Sequence, residues 1–174
     1  MEASRRYSIA ELNSLSREEF VRATGAIFEG SPWIAEVTWS KRPFSDLTQL
    51  QAALRDTAQS AGKEKQLMLI RAHPDLVGRA ALRGTLSSES NREQASAGLN
   101  KLSADDIAAF QSLNQKYSAK FGFPFVICAR LNKKDAILKG FRVRLEHSIE
   151  EEMKAALEEI YKIANLRLQD IVCS

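Results

Sequence analysis

The chain has 174 residues, 25 Lys+Arg against 22 Asp+Glu, 44% apolar residues and two cysteines. A chain of this length buries roughly 70% of the surface its unfolded form exposes, so one domain spanning 1–174 can rest on a hydrophobic core without disulfides or a structural metal. The longest apolar run, 125–129, has five residues, against the ~20 a membrane-spanning helix needs, and the net charge of +3 comes from interspersed signs, so neither a membrane nor a nucleic-acid partner is expected. Cys128 and Cys173 form no CxxC, and no His stands at metal-ligand spacing, which suits a reducing compartment. Positions 1–8 lack an apolar signal core, and the chain ends Ile171-Val172-Cys173-Ser174 in place of the Ser-Lys-Leu peroxisomal address, so the expected location is cytoplasmic.

Apolar residues recur mostly at helical spacing. Ser16 and Glu19 form a capping-box pattern ahead of Phe20, Thr24, Ile27 and Phe28, a helix read as running to Gly30. Ser31-Pro32 opens a shorter helix through Trp33, Ile34 and Val37 toward Pro43, and Leu47, Leu50 and Leu54 mark a third that Gly62 would end. The run 67–70 leads into His73-Pro74. Positions 87–99 suit a helix but hold few large apolar side chains. Ser103 caps a segment with Ile107, Phe110, Leu113, Tyr117 and Phe121 on one stripe, stopped by Gly122. Pro124 forces Phe123 out of helical backbone, so 123–130 reads as one extended, largely buried segment. Ile137, Phe141 and Leu145 mark another helix, and Ser148 with Glu151 caps a last one with the stripe Ile149, Met153, Leu157, Ile160, Ala164, Leu168 and Ile171. The expected fold is all-α, a single-domain bundle of about seven or eight helices.

Three features carry chemistry. Arg167 falls on the apolar stripe of the last helix, eighteen positions beyond Ile149, so its guanidinium turns inward and needs a carboxylate of the protein or a ligand. Ser90, Glu93 and Gln94 share one helix face, with Ala97 a turn further on. The competing reading there is a cap at Ser90 answered by Glu93, and both fit a helix start able to hold an anion or a urea-like carbonyl. His73 stands where Pro74 ends the preceding helix, a fixed position suited to proton transfer. Asp75 either orients it or caps the following turn. His147 reads as an exposed helix-start residue without a role, and Cys128, inside an apolar run, as packing. No GxSxG, phosphate-cradling glycine loop or paired His ligands occur.

The stretches Ala72-His73-Pro74-Asp75-Leu76, Ser90-x-x-Glu93-Gln94-x-x-Ala97-Gly98-Leu99, Lys120-Phe121-Gly122-Phe123-Pro124-Phe125 and Arg167-Leu168 resemble, in order and spacing, the 2-oxo-4-hydroxy-4-carboxy-5-ureidoimidazoline (OHCU) decarboxylases of urate catabolism. The resemblance covers almost the whole chain, including Glu18-Glu19-Phe20 and Ser31-Pro32-Trp33. It implies an all-helical homodimer converting OHCU to (S)-allantoin and carbon dioxide without metal or organic cofactor, with hydroxyisourate hydrolase as functional neighbour. His73 corresponds to the proton donor, and Pro74, Ser90, Glu93 and Gln94 to substrate contacts. Phe125, Val126, Ile127, Cys128 and Ala129 would contribute mainly through their main chain, and Arg167 would hold an electronegative part of the ligand. Two other readings stay open: a helical interaction module in which Arg167 pairs with Glu93 and His73 caps a turn, and a family member acting on another ureido acid.

Overall fold

The computed structural model describes residues 6–173, so positions 1–5 and Ser174, which bear on the two terminal readings, lie outside the described residues. Within them the chain forms α1 (Ile9–Ser14), α2 (Arg17–Thr24), α3 (Trp33–Trp39), α4 (Leu47–Gln59), α5 (Gly62–Arg71), α6 (Arg79–Leu82), α7 (Ser88–Ser96), α8 (Ala104–Phe121), α9 (Lys134–Arg144) and α10 (Ile149–Ile171). Eight of the ten have seven or more residues, and no strand occurs among the described residues. The all-α class and the number of substantial helices agree with the sequence periodicity. None of these helices is long and apolar enough to cross a membrane.

Contacts group into two compact units, Met1–Ala72 with Tyr161–Ser174 and His73–Ile160. In the first, Ser16 and Glu19 form the expected reciprocal cap of α2, at 3.0 and 3.3 Å, and Phe20, Ile34 and Leu50 are wholly buried. α2 ends at Thr24, short of Gly30, where the Thr24 hydroxyl bonds back to the Phe20 carbonyl at 2.7 Å and a 3-10 turn, Gly25–Ile27, takes over. α3 starts after Pro32 with no side-chain cap, Ser31 being buried, and stops at Trp39, well before Pro43. Gly62 opens α5 where it was expected to end α4. Its φ of 83° lets the chain reverse sharply after Gln59.

In the second unit, Ser103 and Asp106 cap α8, and Gly122 ends it at φ 75°, the left-handed stop a glycine accepts without strain. Phe110, Tyr117, Phe125 and Phe141 form the core, with Phe125 stacked on Phe141 at 3.7 Å. Positions 124–128 form neither helix nor strand, with Cys128 extended, and a 3-10 turn, Ala129–Leu131, follows, so the segment expected over 123–130 stops short at that turn. Ser148 and Glu151 exchange caps at the start of α10. Of its expected stripe, Met153, Leu157, Ile160, Ala164 and Leu168 are buried, whereas Ile149, in the first turn, is exposed.

Candidate functional site

α5 stops at Arg71, and Pro74, with no N–H to give, keeps the chain from resuming a helix at once. His73 is thereby held at the edge of the second unit's core, only 7% exposed. A tight turn follows, closed by the Gly78 N–H donating to the Asp75 carbonyl at 3.3 Å. A Cβ on Gly78 would come within 2.6 Å of the Asp75 Cβ, so only glycine fits there. Val77, third in the turn, has φ 53°, a conformation that costs a β-branched residue about 1–3 kcal/mol. The bond that closes the turn comes from the Asp75 main chain and not from its side chain. Its half-buried carboxyl is pushed above the usual carboxylate range by burial, and Arg79 pulls it partly back.

α7 is capped by Ser87, whose hydroxyl accepts the Ser90 N–H at 3.2 Å. This corrects the reading of Ser90 as the cap. Ser90 lies inside the helix and is buried together with Gln94, while Glu93 is half-buried beside them. Because α7 has few large apolar side chains, its inward face is polar, as its composition suggested. The Gln94 side-chain carbonyl accepts the Val77 N–H at 3.1 Å, tying α7 to the turn after His73. Asn114, buried on α8, donates from Nδ2 to the Leu76 carbonyl at 2.8 Å. Sequence reasoning missed Asn114, although a polar residue one helical turn from both Phe110 and Tyr117, on the apolar stripe, was the available signal.

In the extended segment, Phe125, Val126, Cys128 and Ala129 are buried and Ile127 is half-buried. Much of its main chain is already engaged. Arg144 Nη1 donates to the Val126 carbonyl at 2.6 Å with its guanidinium over the Phe125 ring, the Cys128 N–H donates to the Glu159 carboxylate at 2.8 Å, and the Cys128 carbonyl accepts from Asn132 Nδ2 at 2.9 Å. The Cys128 thiol pKa is pushed up, chiefly by burial and further by the charges of Glu159 and Glu93, while the Leu131 and Arg130 N–H groups pull it down. A thiol so placed stays protonated, in keeping with the packing reading. His147 departs from its exposed, roleless reading: it is half-buried and its Nδ1 meets the Glu152 carboxylate at 2.8 Å.

Ten of the eleven residues singled out from the sequence therefore belong to the second unit, and Arg167 belongs to the first. Arg167 is 5% exposed, as its place on the stripe required. Its Nη2 meets the Glu29 carboxylate at 2.9 Å and its Nη1 donates to the Ala26 carbonyl at 3.1 Å. The need for a counter-charge was legible, but the identity of Glu29 was not, because it comes from a loop distant in sequence. A cavity of about 300 Å³ in the second unit is walled by Val77, Leu86, Asn91, Gln94, Leu99 and Ile107 among others. It borders the Gln94 end of the polar face, and His73, Ser90 and Glu93 are not among its walls.

A family model described as OHCU decarboxylase matches residues 13–169. The 2-oxo-4-hydroxy-4-carboxy-5-ureidoimidazoline decarboxylase of Amia calva is 45% identical over 162 residues, covering 93% of this chain and 93% of its own. The protein of the same name from Halalkalicoccus jeotgali is 42% identical over 166 residues, covering 95% and 92%. Among solved structures, a crystal structure of (S)-allantoin synthase matches with a TM-score of 0.77 at 28% identity, over 95% of this chain and 54% of that one.

Proposed function

The chain belongs to the OHCU decarboxylase family, and on that ground we propose that it is a carboxy-lyase turning OHCU into (S)-allantoin and carbon dioxide. The observation that carries the reading is the joining of the His73 turn to the polar face of α7 through Gln94, with Ser90 and Glu93 on the same helix in the same unit. In the reaction, the bond between the ring carbon and the carboxylate breaks, carbon dioxide departs, and the electron pair moves onto the adjacent imine or carbonyl. A proton then reaches that carbon from one side, which fixes the enantiomer. The substrate carries its own electron sink, so the protein's task is to orient the ring, protect the charge that develops and supply the proton.

His73 is assigned that proton. Glu93 offers an acceptor to ureido N–H groups. Gln94, whose Oε1 already takes the Val77 N–H, offers its Nε2 to a carbonyl. The Val126 carbonyl and both Cys128 peptide groups are engaged within the protein, so main-chain contacts to the ligand fall to the other peptide groups of 125–129. Homodimerisation, a cytoplasmic setting and a place after hydroxyisourate hydrolase come with the same reading. The direct test generates OHCU in place from urate with urate oxidase and hydroxyisourate hydrolase, then follows its loss and the circular dichroism of allantoin. Adding the protein should accelerate the loss and give one enantiomer. Decay at the uncatalysed rate to racemic product would reject the assignment.

Arg167 presents a choice of ligand atom. Gripping the departing carboxylate would stabilise the ground state, whereas only contacts that strengthen in the transition state raise the rate. Since Glu29 already offsets the guanidinium charge, Arg167 suits a neutral carbonyl or ureido oxygen on which negative charge grows. Arg167→Met should then lower kcat by the factor that about 2.7–4 kcal/mol of lost oxyanion stabilisation represents, with KM little changed. A raised KM at unchanged kcat would assign Arg167 to ground-state binding.

A further inference from the structure

The geometry points to a peptide clamp, in which Gln94 and Asn114 hold the central peptide of the 75–78 turn in its strained orientation and so position His73. The two side-chain amides come from different helices, α7 and α8, and grip opposite ends of one peptide group: Asn114 Nδ2 donates to the Leu76 carbonyl at 2.8 Å, and Gln94 Oε1 accepts the Val77 N–H at 3.1 Å. That peptide joins the second and third residues of a turn closed from Gly78 to Asp75. Turns that differ by a flip of this peptide differ in the φ of the third residue, negative in one form and positive in the other. The positive form favours Gly or Asn, yet Val77 occupies it at φ 53°. Left to local preference, a valine turns the peptide the other way, and the flip would exchange the directions of the very two groups the amides hold.

The clamp lies close to the chemistry assigned above. His73 and Pro74 immediately precede the turn, so the path of the chain through 75–78 sets where the imidazole is carried. Asn114 is 8% exposed, and its Oδ1 has no hydrogen-bond partner among the described residues. An unpaired buried oxygen is a poor choice for stability alone, and an apolar side chain would avoid it. What an apolar side chain cannot provide is the donor to Leu76. Asn114 is accordingly a positioning residue acting through the turn, and Gln94 has this second task besides any contact with the ligand.

This inference rests on the decarboxylase reading only for its kinetic arm. The test uses the full chain, with turnover of OHCU generated in place, unfolding temperature, and hydrogen exchange of the Val77 amide followed by NMR. In the wild type the Val77 N–H should be protected, and in Asn114→Leu its protection should fall at least tenfold. That variant should lose at least tenfold in kcat, with KM changed less than threefold. Adding Val77→Gly, which makes positive φ free of strain, should restore at least threefold of the lost kcat. A folded Asn114→Leu with kcat within twofold of wild type, a loss expressed in KM alone, or a double variant no better than the single would overturn the clamp. Should Asn114→Leu fail to fold, an unprotected Val77 amide in the wild type overturns it and a protected one supports it. If the wild type does not turn over OHCU, the decarboxylase reading fails, and the amide exchange still decides the clamp.

Discussion

His73→Ala is expected to lower the rate of OHCU decarboxylation by about 10²–10⁴-fold, the usual share of a positioned acid or base, and to leave the residual allantoin racemic. The second outcome is the sharper one. A carbanion formed in solution picks up its proton from either face, so a preference for one enantiomer requires a donor fixed on one side of the ring. His73 fits that requirement by placement: it is buried, lies two residues past the end of α5, and is followed by a proline and a tight turn that restrict its backbone. The variant removes the imidazole while leaving the Gln94 and Asn114 bonds to the 76–77 peptide in place. A folded His73→Ala that retains the rate but loses enantiomeric purity would separate proton delivery from carbon–carbon cleavage. One that retains both would remove His73 from the chemistry.

The parts of this fold that could be read in advance are those governed by neighbours in sequence. Reciprocal caps at Ser16 and Ser148, the cap at Ser103, the stop at Gly122 and the break at Pro124 each follow from a few adjacent residues, and all occur. Where two local signals competed, sequence reasoning chose less well. Ser87 and Ser90 are both serines near the start of α7, and the polar pattern of Ser90 with Glu93 drew the cap three positions too far along. Of the candidate site, the chemically distinctive side chains were legible, as was the inward aim of Arg167. Their supports were not, because Glu29, Asn114 and Glu159 act on groups far away along the chain, and nothing in one sequence states that Asn114 faces Leu76 or that Glu159 takes the Cys128 N–H. The strain at Val77 was hidden for a further reason: a valine in that turn contradicts local preference, so only tertiary contacts explain it.

Glu152 illustrates the same point at the scale of the whole second unit, and replacing it should destabilise the fold strongly. Its carboxylate is wholly buried and accepts from the Tyr117 hydroxyl, from Arg144 Nε at 2.7 Å and from His147 Nδ1 at 2.8 Å. Burial, and next the bond to Glu152, push the Tyr117 phenol well above its ordinary pKa, so it remains a donor. Arg144, in turn, holds the Val126 carbonyl and covers the Phe125 ring. Glu152→Gln keeps the shape but removes the charge, leaving the Arg144 guanidinium buried without compensation. Removing one partner of such a pair costs about 3–5 kcal/mol, which in a chain of this length corresponds to a fall in Tm of roughly 6–20 °C. If the loss comes from stranding a charge and not from losing a favourable bridge, the double replacement Glu152→Leu with Arg144→Met should recover most of it, since a well-packed apolar pair often matches a buried ion pair in stability. Recovery of Tm without recovery of turnover would then separate two tasks of the network, because the double variant restores packing but no longer anchors the 125–129 segment through Val126. A Glu152→Gln protein within 1 kcal/mol of wild type, by the scale on which such pairs are judged, would show instead that Tyr117, Arg144 and His147 find other partners, and that the bond of Arg144 to Val126 and the stack of Phe125 on Phe141 hold the segment without the buried charge.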